Sequence, residues 1–164
     1  MDDAHKFHTV RGYQLLEQNK KLLTPAMEDY LEMIYRGSLE DGYLRINKLA
    51  GVLHVQASSA TKMVQKLTGL GLLNYQKYGI IMLTDKGKQI GEFLLRRHQI
   101  IETFLKSMGI SRNELAETEL IEHSISSHTL QTIDLFNKFL EINPDIIEKF
   151  EHFKEINKDN DKNP

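Results

Sequence analysis

The chain has 164 residues, 40% of them hydrophobic, enough for one core of ordinary size or two small ones. No apolar run approaches the eighteen or so residues of a membrane span, and the N-terminal Met-Asp-Asp-Ala-His-Lys has neither a basic start nor an apolar stretch behind it, so a soluble, cytoplasmic protein is expected. Cysteine is absent, which excludes disulfides, thiolate metal sites and cysteine nucleophiles and leaves oxygen and nitrogen as the metal donors.

The net charge of −2 conceals a segregation. Between Arg45 and Lys88 there are seven Lys and Arg (Arg45, Lys48, Lys62, Lys66, Lys77, Lys86, Lys88) against one acid, Asp85, whereas residues 99–164 carry seven bases against thirteen acids. The first region is a candidate polyanion binder, and the second is not.

Residues 1–22 show patchy periodicity and form an N-terminal extension. Thr24-Pro25 then reads as the cap and first position of a helix carrying Met27, Tyr30, Leu31, Ile34 and Tyr35, which should stop near Gly37 or at Asp41-Gly42. Ile46, Leu49, Ala50 and Leu53 define a short second helix. After His54-Val55-Gln56 comes a third, with Ala57, Ala60, Val64 and Leu67, ending between Gly69 and Gly71. Two short helices around so short a turn fit a helix-turn-helix. The strand-like runs 72–76 and 80–83 flank Lys77-Tyr78-Gly79 as a hairpin, and helix-turn-helix plus hairpin is the layout of a winged helix.

Thr84 or Asp85 should cap a long helix over about 85–108, burying Ile90, Leu94, Ile101, Phe104, Leu105 and Met108, with Gly109 just past its end. Ser111 to Glu114 reads as a capping box for the next helix. A helix over 127–141 should bury Leu130, Ile133, Phe136, Phe139 and Leu140, and Asn143-Pro144 starts a last one with Ile146, Ile147, Phe150 and Phe153. The expectation is therefore a mostly α protein: a winged helix-turn-helix over 23–92, an all-helical domain over 93–156, and a polar, disordered tail over 157–164.

If the third helix buries Ala57, Ala60, Val64 and Leu67, then Ser58, Ser59, Thr61, Lys62, Gln65 and Lys66 point outward without one acid among them. Hydroxyls and Gln suit base edges or phosphates and Lys suits phosphates, so this face is the candidate DNA reader. A Lys-Ser-Thr face alone would more often be merely solvated; its place in a basic helix-turn-helix with a wing is what favours DNA. Lys77 and Tyr78 at the hairpin tip are placed to meet the sugar-phosphate backbone.

The acidic half holds a second constellation. Glu119, Glu122 and His123 stand at i, i+3 and i+4, and so on one helix face; Asp29 and Glu32 repeat the i, i+3 pair on the first helix; His98 lies midway along the long helix. Taken singly, each reads as a solvated acid or a packed histidine. Together they flank apolar faces with no lysine at i+4 to offset repulsion, and a cation would remove that cost. Carboxylate and imidazole donors suit Mn²⁺ or Fe²⁺, with Zn²⁺ as an alternative, and six ligands on three helices can hold two ions through shared carboxylates.

The runs Leu-Thr-Pro-Ala-Met-Glu-Asp-Tyr-Leu-Glu-Met-Ile-Tyr (23–35), Ser-Ser-Ala-Thr-Lys-Met-Val-Gln-Lys-Leu (58–67), Leu-Thr-Asp-Lys-Gly-Lys-Gln-Ile-Gly (83–91), Arg-Arg-His (96–98) and Glu-Leu-Ile-Glu-His (119–123) resemble the manganese branch of the diphtheria-toxin-repressor-like family of metal-dependent repressors. The resemblance implies a homodimer, a winged-helix DNA-binding domain, a helical dimerisation domain, and repression of metal-uptake genes when the metal is bound. By motif, the family's ligands fall on Asp29, Glu32, His98, Glu119, Glu122 and His123. The iron branch has Met and Cys where Asp29 and Glu119 stand here, so these carboxylates point to manganese. The chain also ends after the dimerisation helices, without the SH3-like domain of many iron-type members. Gln99 and Ser124 depart from the pattern beside the ligands, and the extension with His5 and His8 lies outside it.

The implied mechanism is that metal ligation draws the winged helices and the dimer core into the spacing that fits two successive operator half-sites. Two other readings stand beside it. A winged-helix regulator of iron or another input would keep the DNA face, with a solvated acidic cluster in the second case. A binuclear metalloenzyme would need a general base and a substrate pocket, for which no further motif is present, so no enzyme is expected.

Overall fold

The computed structural model describes residues 22–110 and 114–160. The extension with His5 and His8, residues 111–113 of the capping box and positions 161–164 lie outside the described residues. Among the described residues there are seven helices and one small three-stranded sheet, and the chain divides into two compact units between Arg96 and Arg97.

In the first unit, α1 (Pro25–Ser38) starts as its sequence requires: Thr24 is extended, Pro25 occupies the first turn, and Met27 and Glu28 donate their N–H groups to Thr24 O. Met27, Leu31 and Ile34 form its buried stripe. α2 (Ile46–Val52) buries Leu49 and Ala50, and α3 (Ala57–Gly69) buries Ala60, Val64 and Leu67. The turn between them is tightened by His54 in the left-handed region (φ 52) and by Val55 N–H bonded to Ala50 O at 3.0 Å.

The wing is larger than a hairpin. β1 (Leu44–Arg45), β2 (Leu73–Gln76) and β3 (Ile80–Leu83) form an antiparallel sheet in the order β1-β3-β2, with Leu44 opposite Ile81 and Tyr75 opposite Ile81 on the other side. Two residues carry no readable alternation, so β1 is invisible to periodicity. The tip is a single 3₁₀ turn, Lys77–Gly79, in which Tyr78 and Gly79 both take positive φ (64 and 74).

α4 (Asp85–Ser107) is capped by Thr84 rather than Asp85: Gly87 N–H donates to Thr84 Oγ1 at 3.0 Å, and the same hydroxyl donates to the Gly71 and Leu72 carbonyls. Gly87 follows at a close approach, where a methyl group would overlap the Leu72 carbonyl oxygen.

The second unit contains the end of α4, then α5 (Glu114–Glu122), α6 (Ser127–Ile142) and α7 (Pro144–Asn160). Gly109 (φ 73) closes α4, with Ile110 N–H on Leu105 O at 3.0 Å. Lys154 Nζ of α7 donates to Met108 O at 3.0 Å, and Asn137 of α6 donates to Ile100 O at 2.9 Å. α7 continues to Asn160, so residues 157–160 are helix rather than disordered tail, and Asn157 Nδ2 donates to Phe153 O at 2.7 Å.

Leu130 and Leu140 are buried as expected, but Phe136 and Phe139 are exposed, as are Leu135, Ile142, Phe153 and Ile156. An apolar face of this size on a single chain is the form an interaction surface takes. No helix among the described residues is long and apolar enough to cross a membrane.

Candidate metal centre and nucleic-acid face

The first unit supplies acids from α1. Asp29 is half-buried and Glu32 is buried one turn on, next to the apolar stripe of Leu31 and Ile34. Glu32 does have a base at i+4: Arg36 Nη2 donates to Glu32 Oε1 at 2.6 Å, so the expectation of unrelieved repulsion is corrected at this position. A guanidinium offsets the charge of a carboxylate as a lysine would. Glu28, also buried, went unnoticed, since nothing but its nearness to Asp29 marks it in the sequence.

The second unit supplies His98, Glu122 and His123. His98 and Glu122 are 7% and 2% exposed, and His98 Nδ1 lies 3.1 Å from Glu122 Oε2. His123 Nε2 is 3.9 Å from Glu122 Oε1. Burying a carboxylate is costly unless it is paired, and here its partner is an imidazole, itself a metal donor. The donor set is nitrogen and oxygen throughout, which fits a hard or borderline divalent ion and not a thiophilic one.

Glu119 and Glu122 stand three positions apart within α5, but only Glu122 is packed. α5 ends at Glu122, His123 stands in the following turn, and Glu119 is exposed while Glu122 points inward. A helix packed on one side only can bury one member of an i, i+3 pair and expose the other. Of the six candidate ligands, the second unit places the buried His98 and the half-buried His123 each beside Glu122 and leaves Glu119 exposed. Asp29 and Glu32 occupy successive turns of α1 in the first.

On α3, Ser58, Ser59, Lys62, Gln65 and Lys66 are all exposed, and no acid interrupts them. Two details differ from expectation. Ala57 is exposed, because it is the first residue of the helix and precedes the packed turn. Thr61 is half-buried, with its hydroxyl turned back onto Ala57 O at 2.8 Å, so it presents a methyl group rather than a donor. Lys77 and Tyr78 stand exposed at the wing tip, Tyr78 at 90%.

Comparison with known proteins follows these two halves. Residues 22–81 match the family described as "Iron dependent repressor, N-terminal DNA binding domain", and residues 84–151 match "Iron dependent repressor, metal binding and dimerisation domain". The chain is 41% identical to the HTH-type transcriptional regulator MntR of Lysinibacillus sphaericus over 80% of its own length and 95% of the relative. It is 43% identical to MntR of Bacillus subtilis over 73% and 86%. Among solved structures, the manganese regulator SloR aligns with a TM-score of 0.62 at 31% identity over 71% of this chain. The chain spans about half, 55%, of that solved chain's length. These relatives are regulators, not enzymes. With residues 22–81 and 84–151 matched, the chain belongs to the iron-dependent repressor, or diphtheria-toxin-repressor-like, family of metal-dependent transcriptional regulators.

Proposed function

We propose that the chain is a manganese-responsive repressor that acts as a cytoplasmic homodimer on double-stranded operator DNA upstream of metal-uptake genes. Asp29, Glu32, His98, Glu119, Glu122 and His123 are its ligands, for two ions per subunit. The observation that carries the metal reading is the buried His98 and Glu122 pair, a carboxylate and an imidazole in contact where a purely structural core would place two apolar side chains. Manganese is favoured by the carboxylates at Asp29 and Glu119, by the absence of cysteine, and by relatives named as manganese regulators.

An ion held by these residues would supply the positive charge that offsets their carboxylates. Asp29 and Glu32 lie on α1, which packs directly against α3, so fixing these carboxylates restricts where the reading helix stands. His98, Glu122 and His123, in the second unit, would hold the ion from the dimerisation domain. Metal and DNA then favour the same state, and each raises the affinity for the other by the same factor. The exposed Phe136 and Phe139 with their neighbours supply the apolar surface for the second copy.

Thermal denaturation tests the metal reading. Mn²⁺ at a hundred times its Kd should stabilise the protein by about 2.7 kcal/mol, raising the midpoint by about 5–10 °C. His123→Ala or Glu119→Ala should abolish most of that rise. A rise of equal size in both variants would place the ion elsewhere. The DNA face is tested through Lys62→Ala, which should weaken binding to all sequences alike and reduce the salt dependence of log K by about one unit.

A further inference from the structure

α5 is built the wrong way round for a structural helix. Its leucines, Leu115 and Leu120, are 62% and 72% exposed, while its two fully buried residues are Thr118 and Glu122, at 0% and 2%. These two are four positions apart, one turn along the same inward face, so their side chains are neighbours. Apolar burial does not explain that face.

The Thr118 hydroxyl also differs from those of three other helical threonines among the described residues. Thr61, Thr68 and Thr132 each sit inside a helix and donate to the carbonyl four residues back, at 2.8 to 2.9 Å. Thr118, equally helical and more deeply buried, does not. Its Oγ1 is enclosed and has no hydrogen-bond partner among the described residues. A buried hydroxyl that declines its ordinary local bond and finds no other is destabilising as it stands, so something else accounts for its presence.

We infer that Thr118 is a positioning residue for the metal centre: its hydroxyl serves the ligand sphere, bonding the Glu122 carboxylate or a water held beside it when a divalent ion is bound. Glu122 already has one oxygen facing His98 at 3.1 Å and the other 3.9 Å from His123. A carboxylate shared in this way must keep its plane while its partners rearrange around a cation, and a donor one turn away on the same rigid helix fixes that plane. Groups that orient ligands in this manner change metal affinity by about 10–100-fold when removed.

This inference rests on the proposed metal site and is tested apart from it. Mn²⁺ binding by metal-free full-length protein is measured by calorimetric titration for wild type, Thr118→Val and Thr118→Ser, with thermal denaturation of each metal-free protein. Valine keeps the shape and removes the hydroxyl; serine keeps the hydroxyl. Expected are an affinity at least about tenfold weaker for Thr118→Val and within about twofold of wild type for Thr118→Ser. The metal-free midpoint should be unchanged or higher in Thr118→Val, since the lost hydroxyl had no partner. Unchanged Mn²⁺ affinity in Thr118→Val would overturn the inference while leaving the metal site standing. A metal-free Thr118→Val that melts well below wild type, or a serine variant as weak as valine, would assign Thr118 to packing instead. Failure of the wild type to bind Mn²⁺ would remove both.

Discussion

Replacing Glu122 with glutamine should leave the metal-free protein as stable as wild type, or more so, and nearly abolish its response to metal. The carboxyl group is 2% exposed and faces His98 at 3.1 Å, so in the metal-free state it is removed from water with few partners. Glutamine has the same volume, can still bond His98 Nδ1, and does not carry the desolvation cost of an ion. Metal binding depends on the opposite property, since a neutral amide oxygen offers a cation far less than a carboxylate does. A loss of at least about a hundredfold is expected, the upper end of what even indirect ligand perturbations cause. At an Mn²⁺ concentration of a hundred wild-type Kd, stabilisation should fall from about 2.7 to at most about 0.4 kcal/mol. Calorimetric melting with and without Mn²⁺ reads both numbers. A destabilised metal-free variant that still responded fully to metal would mean that Glu122 is a structural acid.

The second large effect is one of packing. Alanine normally stabilises a helix relative to glycine by up to about 1 kcal/mol. At Gly87 the sign should reverse, because the added methyl would overlap Leu72 O and lie 3.2 Å from Leu83 Cδ2. Leu72 O is itself held by Thr84 N–H and the Thr84 hydroxyl, so the carbonyl cannot yield without opening the start of α4. About 3 kcal/mol is expected, or a fall of about 12–24 °C in the midpoint of the DNA-binding unit. Gly51→Ala, on α2 with nothing near the added carbon, is the control and should be neutral or stabilising. Equal midpoints for the two variants would show that the α4 entry is not the constraint it looks to be.

What could be read from sequence follows a physical division. Helices with a clear stripe, such as Met27, Leu31 and Ile34 or Ala60, Val64 and Leu67, announce themselves, because burial on one face is what the spacing encodes. Glycines at positive φ did the same for the ends of α3 and α4, at Gly71 and Gly109. β1 did not, being two residues long and paired only through the backbone. The candidate ligands were legible as residue types, but their directions were not: Glu119 and Glu122 are equivalent in spacing and opposite in exposure, because the helix packs only one side. Arg36 stands at i+4 from Glu32 and pairs with it as a lysine there would. The apolar stripe of α6 reads as core, yet Phe136 and Phe139 are exposed, since periodicity marks an apolar face without saying what packs on it. Thr118 had no sequence signal at all, and only its burial without a partner singles it out.

The most direct measurement of metal-controlled DNA binding is the affinity of one protein preparation for one duplex in Mn²⁺ and in chelator, at constant salt. The duplex is a palindrome selected from a random pool in the presence of Mn²⁺. Coupling free energies between two sites are typically about 1–3 kcal/mol, so binding should be at least about fivefold tighter in Mn²⁺, with the advantage lost in Glu122→Gln. Equal affinity in both conditions would contradict the assignment of a metal-responsive repressor, however tightly the protein bound either ligand alone.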